Sequence, residues 1–142
     1  MFVILVGGGR TGKGLAEQLI AEGHEVVVIE EDEERAHDIQ ENLDCAVIQG
    51  DGTDIEVLKE AMDDDVDGLV ALTPSDESNL IICKLAKTLD VPRIIARVNN
   101  AQNEGMFLDV GADSEINMIS ASIGLFQKAL TGPKLYEIVS VG

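Results

Sequence analysis

Short apolar runs along this chain alternate with stretches in which apolar residues recur at helical spacing. Phe2–Val6, Glu25–Ile29, Ala46–Ile48, Leu69–Leu72, Ile94–Val98 and Ser114–Ile116 read as strands. Most of them are continuously apolar, the pattern of strands covered on both faces. Helical patterns fall between and after them, near Gly12–Glu22, Glu33–Asn42, Asp54–Met62, Ser75–Leu89 and Ala101–Val110. A β-α repeat carried through six strands predicts an α/β fold, a doubly wound parallel sheet with helices on both faces. Local chemistry supports several boundaries. Asp54 and Ser75 are good N-caps, Gly23 and Gly111 stand where helices end in the left-handed conformation, and Pro92 blocks continuation of the helix ending at Leu89.

Beyond the sixth strand, Ile119, Ile123, Phe126 and Leu130 form a narrow apolar seam on a helix running from Met118 to Leu130. Such a stripe packs either on its own domain or on a partner subunit. Thr131-Gly132-Pro133 then breaks the pattern before an apolar strand at Leu135–Val141. Residues 1–130 are therefore expected to be one domain, and 131–142 a linker with the first strand of a further C-terminal domain. The alternative is an ordinary terminal strand on a sheet edge.

The 142 residues suffice for a core without disulfides. With 27 acidic and 10 basic residues, a net charge of −17 repels nucleic-acid phosphates and anionic lipid headgroups, so no nucleic-acid partner is expected. Cys45 and Cys83 sit in apolar runs without C-x-x-C spacing and read as small buried hydrophobes. The start MFVILVGGG has neither a basic region nor an apolar run long enough for a signal peptide or a membrane span. A cytoplasmic protein without direct membrane insertion is the expectation.

The chemistry concentrates after the first strand. Gly7-Gly8-Gly9-Arg10-Thr11-Gly12 contains G-x-G-x-x-G at the mouth of a helix, which makes the sheet Rossmann-type. Gly7 permits the tight turn, Gly9 lets a pyrophosphate approach the backbone, and Gly12 lets the helix pack close. Gly7, Gly12 and Lys13 also spell most of a P-loop, but Gly14 stands where Mg²⁺ binding needs Ser or Thr. Glu30, eighteen residues past Gly12 at the end of the second strand, is placed to accept hydrogen bonds from adenosine ribose hydroxyls. Glu31 and Asp32 follow it, so a 2′-phosphate would meet concentrated negative charge and NAD is favoured over NADP. ATP and ADP offer the same ribose. Asp51, Thr73, Pro74 and Arg97 fall at later strand ends, where a doubly wound sheet puts its ligand.

On these residues the chain resembles the N-terminal nucleotide-binding domain of Trk-type potassium uptake proteins, the KTN or RCK domains. The resemblance is carried by Gly7-x-Gly9-Arg10-x-Gly12, Val28-Ile29-Glu30, Gly50-Asp51-Gly52-Thr53, Ala71-Leu72-Thr73 with Asp76-Glu77-Ser78-Asn79-Leu80, and Ile95-Ala96-Arg97-Val98. It implies a phosphate site at Gly7, Gly8, Gly9, Arg10 and Thr11, the ribose on Glu30, and Thr73, Pro74 and Arg97 completing the pocket. It further implies a subunit that forms a homodimer or a larger ring, peripheral to the membrane beneath a potassium transporter or channel, with NAD⁺/NADH or ATP/ADP shifting its conformation. Gly8 and Thr11 depart from the family, where apolar or branched residues are frequent at those places.

A regulatory nucleotide sensor without chemistry of its own is thus expected. The competing reading is the nucleotide-binding domain of an NAD-dependent oxidoreductase that lacks its substrate domain. Against it, His24 lies beside Gly23 in a turn and His37 on a helix full of charges, neither in a catalytic setting. A calcium loop imitated by Asp63-x-Asp65-x-Asp67-Gly68 fails at Pro74, where a bidentate Glu is required.

Overall fold

The computed structural model describes residues 1–62 and 65–133. Its strands are β1 (Phe2–Val6), β2 (Glu25–Glu30), β3 (Ala46–Gln49), β4 (Gly68–Ala71), β5 (Ile94–Val98) and β6 (Ser114–Asn117). The helices are α1 (Arg10–Ala21), α2 (Glu33–Asn42), α3 (Ile55–Ala61), α4 (Asp76–Thr88), α5 (Met106–Asp109) and α6 (Met118–Thr131). All strand pairs are parallel, in the order β3-β2-β1-β4-β5-β6. The chain winds outward from β1 to β3, returns through α3 to β4, and winds outward again to β6. The turning point lies between β1 and β4, where Val6 pairs with both Ile29 and Ala71. Open sheets of this kind bind ligands outside the carboxyl ends of the strands at that point.

Alternation along the strands divides the core in two. Ile4, Val6, Leu69, Ala71, Ile94, Ala96 and Val98 pack with Leu58 of α3, Ile82 and Cys83 of α4 and Phe107 of α5. Val3, Leu5, Val26 and Val28 face the other way, onto Ala16 of α1 and Ile39 of α2. Helices thus cover both faces, as the continuous apolar runs require. Cys83 is buried and Cys45 half-buried.

Asp54 and Ser75 cap α3 and α4, accepting from Glu56 N and Ser78 N, and Gly23 and Gly111 adopt φ values of 89° and 113°. The single helix expected over Ala101–Val110 is instead a 3-10 turn at Ala101–Asn103 followed by α5, because Gly105 between them turns left-handed at φ 88°. No residue of α6 is buried. Its seam residues Ile119, Ile123, Phe126 and Leu130 are 67%, 61%, 76% and 86% exposed. The strand expected at Leu135–Val141 lies outside the described residues.

Candidate functional site at the carboxyl edge of the sheet

Beyond β1 the chain makes the turn into α1 with no room to spare. Gly7, at φ 113°, donates its N–H to Ile29 O at 2.8 Å, and a Cβ there would come within 2.9 Å of the Leu72 carbonyl group. A Cβ on Gly12 would overlap Gly7 O, so α1 packs directly on the turn. Gly8 is buried, and a Cβ on it would overlap Cδ1 of Ile39. A side chain at Gly8 would therefore require the tip of Ile39 of α2 to move. Gly9 differs from these three. A Cβ built on it meets nothing within 4 Å, so its surface opens outward.

Gly9 is also the N-cap of α1 and supplies no side-chain acceptor, whereas α2, α3, α4 and α6 are capped by Asp32, Asp54, Ser75 and Asn117. The first bond back to the turn is Lys13 N to Gly9 O at 2.8 Å. The N–H groups of Arg10, Thr11 and Gly12 point out of the helix end with the positive pole of the helix dipole behind them. Arg10 is exposed and makes no ion pair among the described residues.

Glu30 faces this helix end. It is 6% exposed, and each carboxylate oxygen already accepts one main-chain N–H: Oε1 from Gly8 and Oε2 from Asp32, both at 2.8 Å. A carboxylate has about four acceptor sites, so two remain for a ligand's hydroxyls. The same contacts tie the glycine loop to the N-cap of α2. Arg35, in the first turn of α2, brings Nη1 to 3.8 Å from Glu30 Oε1.

Across the turning point, Thr73, Pro74 and Arg97 form the opposite wall. Asn79, fully buried in α4, accepts from Thr73 N at 3.0 Å and from the Thr73 hydroxyl at 2.7 Å. Its Nδ2 donates to Thr73 O at 3.0 Å and Arg97 O at 3.1 Å. Asn99 Nδ2 adds a bond to Thr73 O at 3.1 Å, and Asp76 accepts from Asn99, Asn100 and Asn103. Burial acts to raise the Asp76 pKa, but those hydrogen bonds outweigh it and hold the carboxyl below the usual aspartate range. Arg97, in contrast, has a buried Nε with no hydrogen-bond partner among the described residues. In a chain this acidic, a guanidinium left unpaired beside a cleft suits an anion.

The two walls enclose a cleft of about 700 Å³ lined by Gly7, Gly9, Glu30, Thr73, Pro74 and Arg97 of the expected residues. Gly8 and Gly12 lie buried in the loop itself, and Arg10 and Thr11, in the first turn of α1, do not line the cleft. Asp51 is exposed, and its Oδ1 accepts from Thr53 N at 2.9 Å and Thr53 Oγ1 at 2.7 Å, bonds that lower its pKa. It does not line the cleft; Gln49 is the β3 residue that does. Sequence reasoning had Glu31 and Asp32 at this place but missed Glu33, Arg35 and Gln49. The position of Glu33 and Arg35 just after the acidic strand end was the only available signal. His24 meets the N-terminal amino group at 2.9 Å and His37 lies 3.0 Å from Glu41, and neither lines the cleft. Asp67 accepts from Phe2 N at 2.7 Å, and Asp63 of the calcium-like motif lies outside the described residues.

The cleft thus combines an open glycine backbone, a helix N-terminus without a side-chain cap, a buried carboxylate and a guanidinium whose Nε has no partner among the described residues. Residues 3–118 match the TrkA-N domain family. The chain is 41% identical over its whole length to a Trk system potassium uptake protein TrkA homolog of Methanothermobacter thermautotrophicus, covering 66% of that protein. Among solved structures, the Shewanella denitrificans Kef CTD in AMP-bound form superposes with a TM-score of 0.77 at 25% identity, over 92% of this chain and 80% of that one. The GsuK channel bound to NAD superposes with a TM-score of 0.74 at 22% identity, over 82% of this chain and 21% of that one. The chain spans about half to two thirds of the length of the potassium uptake relatives it matches first. Among the described residues no helix is long and apolar enough to cross a membrane. By sequence match over most of its length, the chain belongs to the TrkA-N domain family.

Proposed function

We propose that this domain is a regulatory subunit that binds NAD(H) or ATP/ADP in the cleft and conveys the bound state to a membrane potassium transporter or channel. Glu30 carries the reading: a buried carboxylate held rigid by two main-chain N–H groups, opposite an uncapped helix N-terminus. A ribose hydrogen-bonded to Glu30 sets the following phosphates over Gly9, Arg10, Thr11 and Gly12, with Thr73, Pro74 and Arg97 at the far side. Glu31, Asp32 and Glu33 line the ribose end and disfavour a 2′-phosphate, which supports NAD over NADP. The name of the Methanothermobacter relative supports the transport role, and the NAD-bound and AMP-bound neighbours support the ligand class.

Such a sensor acts by differential binding and performs no chemistry: the nucleotide that prefers one arrangement of subunits shifts the population toward it. The exposed seam of α6 supports assembly as a homodimer or larger ring, since four large apolar side chains on one stripe gain from burial against a second copy. The subunit then sits on the cytoplasmic side, held at the membrane through its transport partner.

The test is titration of the purified protein with NAD⁺, NADH, ATP and ADP, recording affinity and oligomeric size together. The proposal expects binding of at least one nucleotide and a ligand-dependent change in assembly. Absence of binding at millimolar concentration contradicts it, and turnover of NADH with a small carbonyl substrate points to an oxidoreductase instead.

A further inference from the structure

The segment Asp76-Glu77-Ser78-Asn79-Leu80 carries part of the family resemblance, yet none of its side chains lines the cleft. Asn79 nevertheless reaches the cleft wall at the residues that matter. Its side chain makes four hydrogen bonds, three to Thr73 and one to the carbonyl of Arg97, and is itself fully buried. The amide thereby satisfies both its acceptor and donor capacity on two neighbouring strand ends. Thr73 has its N–H, hydroxyl and carbonyl all engaged in this way, so it presents a fixed wall. Arg97 has its main chain held while its Nε stays unpartnered among the described residues.

We propose that Asn79 is a positioning residue of the nucleotide site: it fixes the spacing between Thr73-Pro74 and Arg97 so that the guanidinium meets the phosphate chain beyond the ligand's first phosphate. This rests on the cleft being a nucleotide site. Three strand spacings separate β2, which carries Glu30, from β5, which carries Arg97, or about 14 Å. A nucleoside monophosphate anchored on Glu30 ends over the glycine loop, whereas a diphosphate or dinucleotide continues toward Arg97. The residue that sets Arg97 therefore acts on the second kind of ligand more than on the first. Asp76 supports the same wall from the other side by fixing Asn99, whose Nδ2 also holds Thr73 O.

The experiment compares AMP, ADP and NAD⁺ binding by calorimetry in the wild type, Asn79→Asp and Asn99→Ala. Asn79→Asp keeps the shape and the two acceptor bonds but turns a carboxylate oxygen on two carbonyls. It should weaken ADP and NAD⁺ about tenfold more than AMP, and Asn99→Ala should shift the same ratio about threefold. A purely structural role would lower all three ligands alike or leave all three unchanged in folded protein, and either result overturns the proposal. Should Asn79→Asp fail to fold by circular dichroism, Asn99→Ala decides alone, an unchanged ratio overturning it. If the wild type binds none of the three, the nucleotide reading itself fails and this inference with it; wild-type binding without the split removes the inference alone.

Discussion

On the β1–β2 side of the cleft an open glycine backbone meets one buried carboxylate, whereas on the β4–β5 side an amide network holds the main chain of Arg97, whose Nε has no partner among the described residues. The first wall is fixed by the same residue that would bind the ligand: Glu30 ties Gly8 to Asp32 and offers its remaining lone pairs. In the second wall the tasks are separated, Asn79 and Asp76 holding the frame while Arg97 Nε has no partner among the described residues. Stability and affinity should therefore move together in the first wall and come apart in the second.

The largest effect is expected at Gly12. Gly12→Ala drives a methyl group into Gly7 O, main chain against main chain, and should cost on the order of 4 kcal/mol of stability by urea unfolding. Gly14→Ala, two residues on along α1 and with nothing within 4 Å of its Cβ, should stabilise the helix by about 0.5–1 kcal/mol. Equal responses at the two positions would show that α1 does not pack on the turn as described.

Next comes the contrast between the walls. Glu30→Gln replaces one acceptor oxygen with a donor, leaving the N–H of Gly8 or Asp32 without its partner. It should lose about 2 kcal/mol of stability and much of the adenosine affinity. Arg97→Ala breaks no side-chain hydrogen bond among the described residues, so it should change stability by less than about 1 kcal/mol while weakening ADP or NAD⁺ roughly tenfold. A stability loss at Arg97 as large as that at Glu30 would erase the distinction.

A smaller effect distinguishes the second wall by pH. The folded-state pKa of Asp76 is depressed, so its contribution is full above the unfolded aspartate pKa of about 4 and is lost as pH falls through the folded value. From about pH 5 to pH 3 the urea midpoint of the wild type should fall more steeply than that of Asp76→Asn. Parallel curves would mean that Asn99, Asn100 and Asn103 do not hold the charged carboxylate.

The same division explains what could be read in advance. All six strands, the caps at Asp54 and Ser75 and the left-handed Gly23 and Gly111 follow from residues within a turn or two of each other. Gly105 escaped because the apolar spacing of Met106, Phe107 and Val110 suits a longer helix that only the backbone turn interrupts. Glu30 was legible as a strand-end acid at a telling distance from the glycines, but its hold on Gly8 was not, since that contact spans 22 residues. Asn79 stood in a recognisable motif without a visible purpose, because its partner Arg97 lies 18 residues away on the next strand. The contact of Gly8 with Ile39 was not legible either, because Ile39 lies on another helix.

Amide chemical shifts of the ¹⁵N-labelled protein, followed during titration with NAD⁺, test the central claim most directly. The account predicts saturable shifts at Gly9, Arg10, Thr11 and Gly12, at Glu30, and at Arg97 on the opposite wall. Shifts confined to the other end of the sheet, around Leu15, Leu19 and Ile95, or no shifts at millimolar NAD⁺ or ADP, would contradict it.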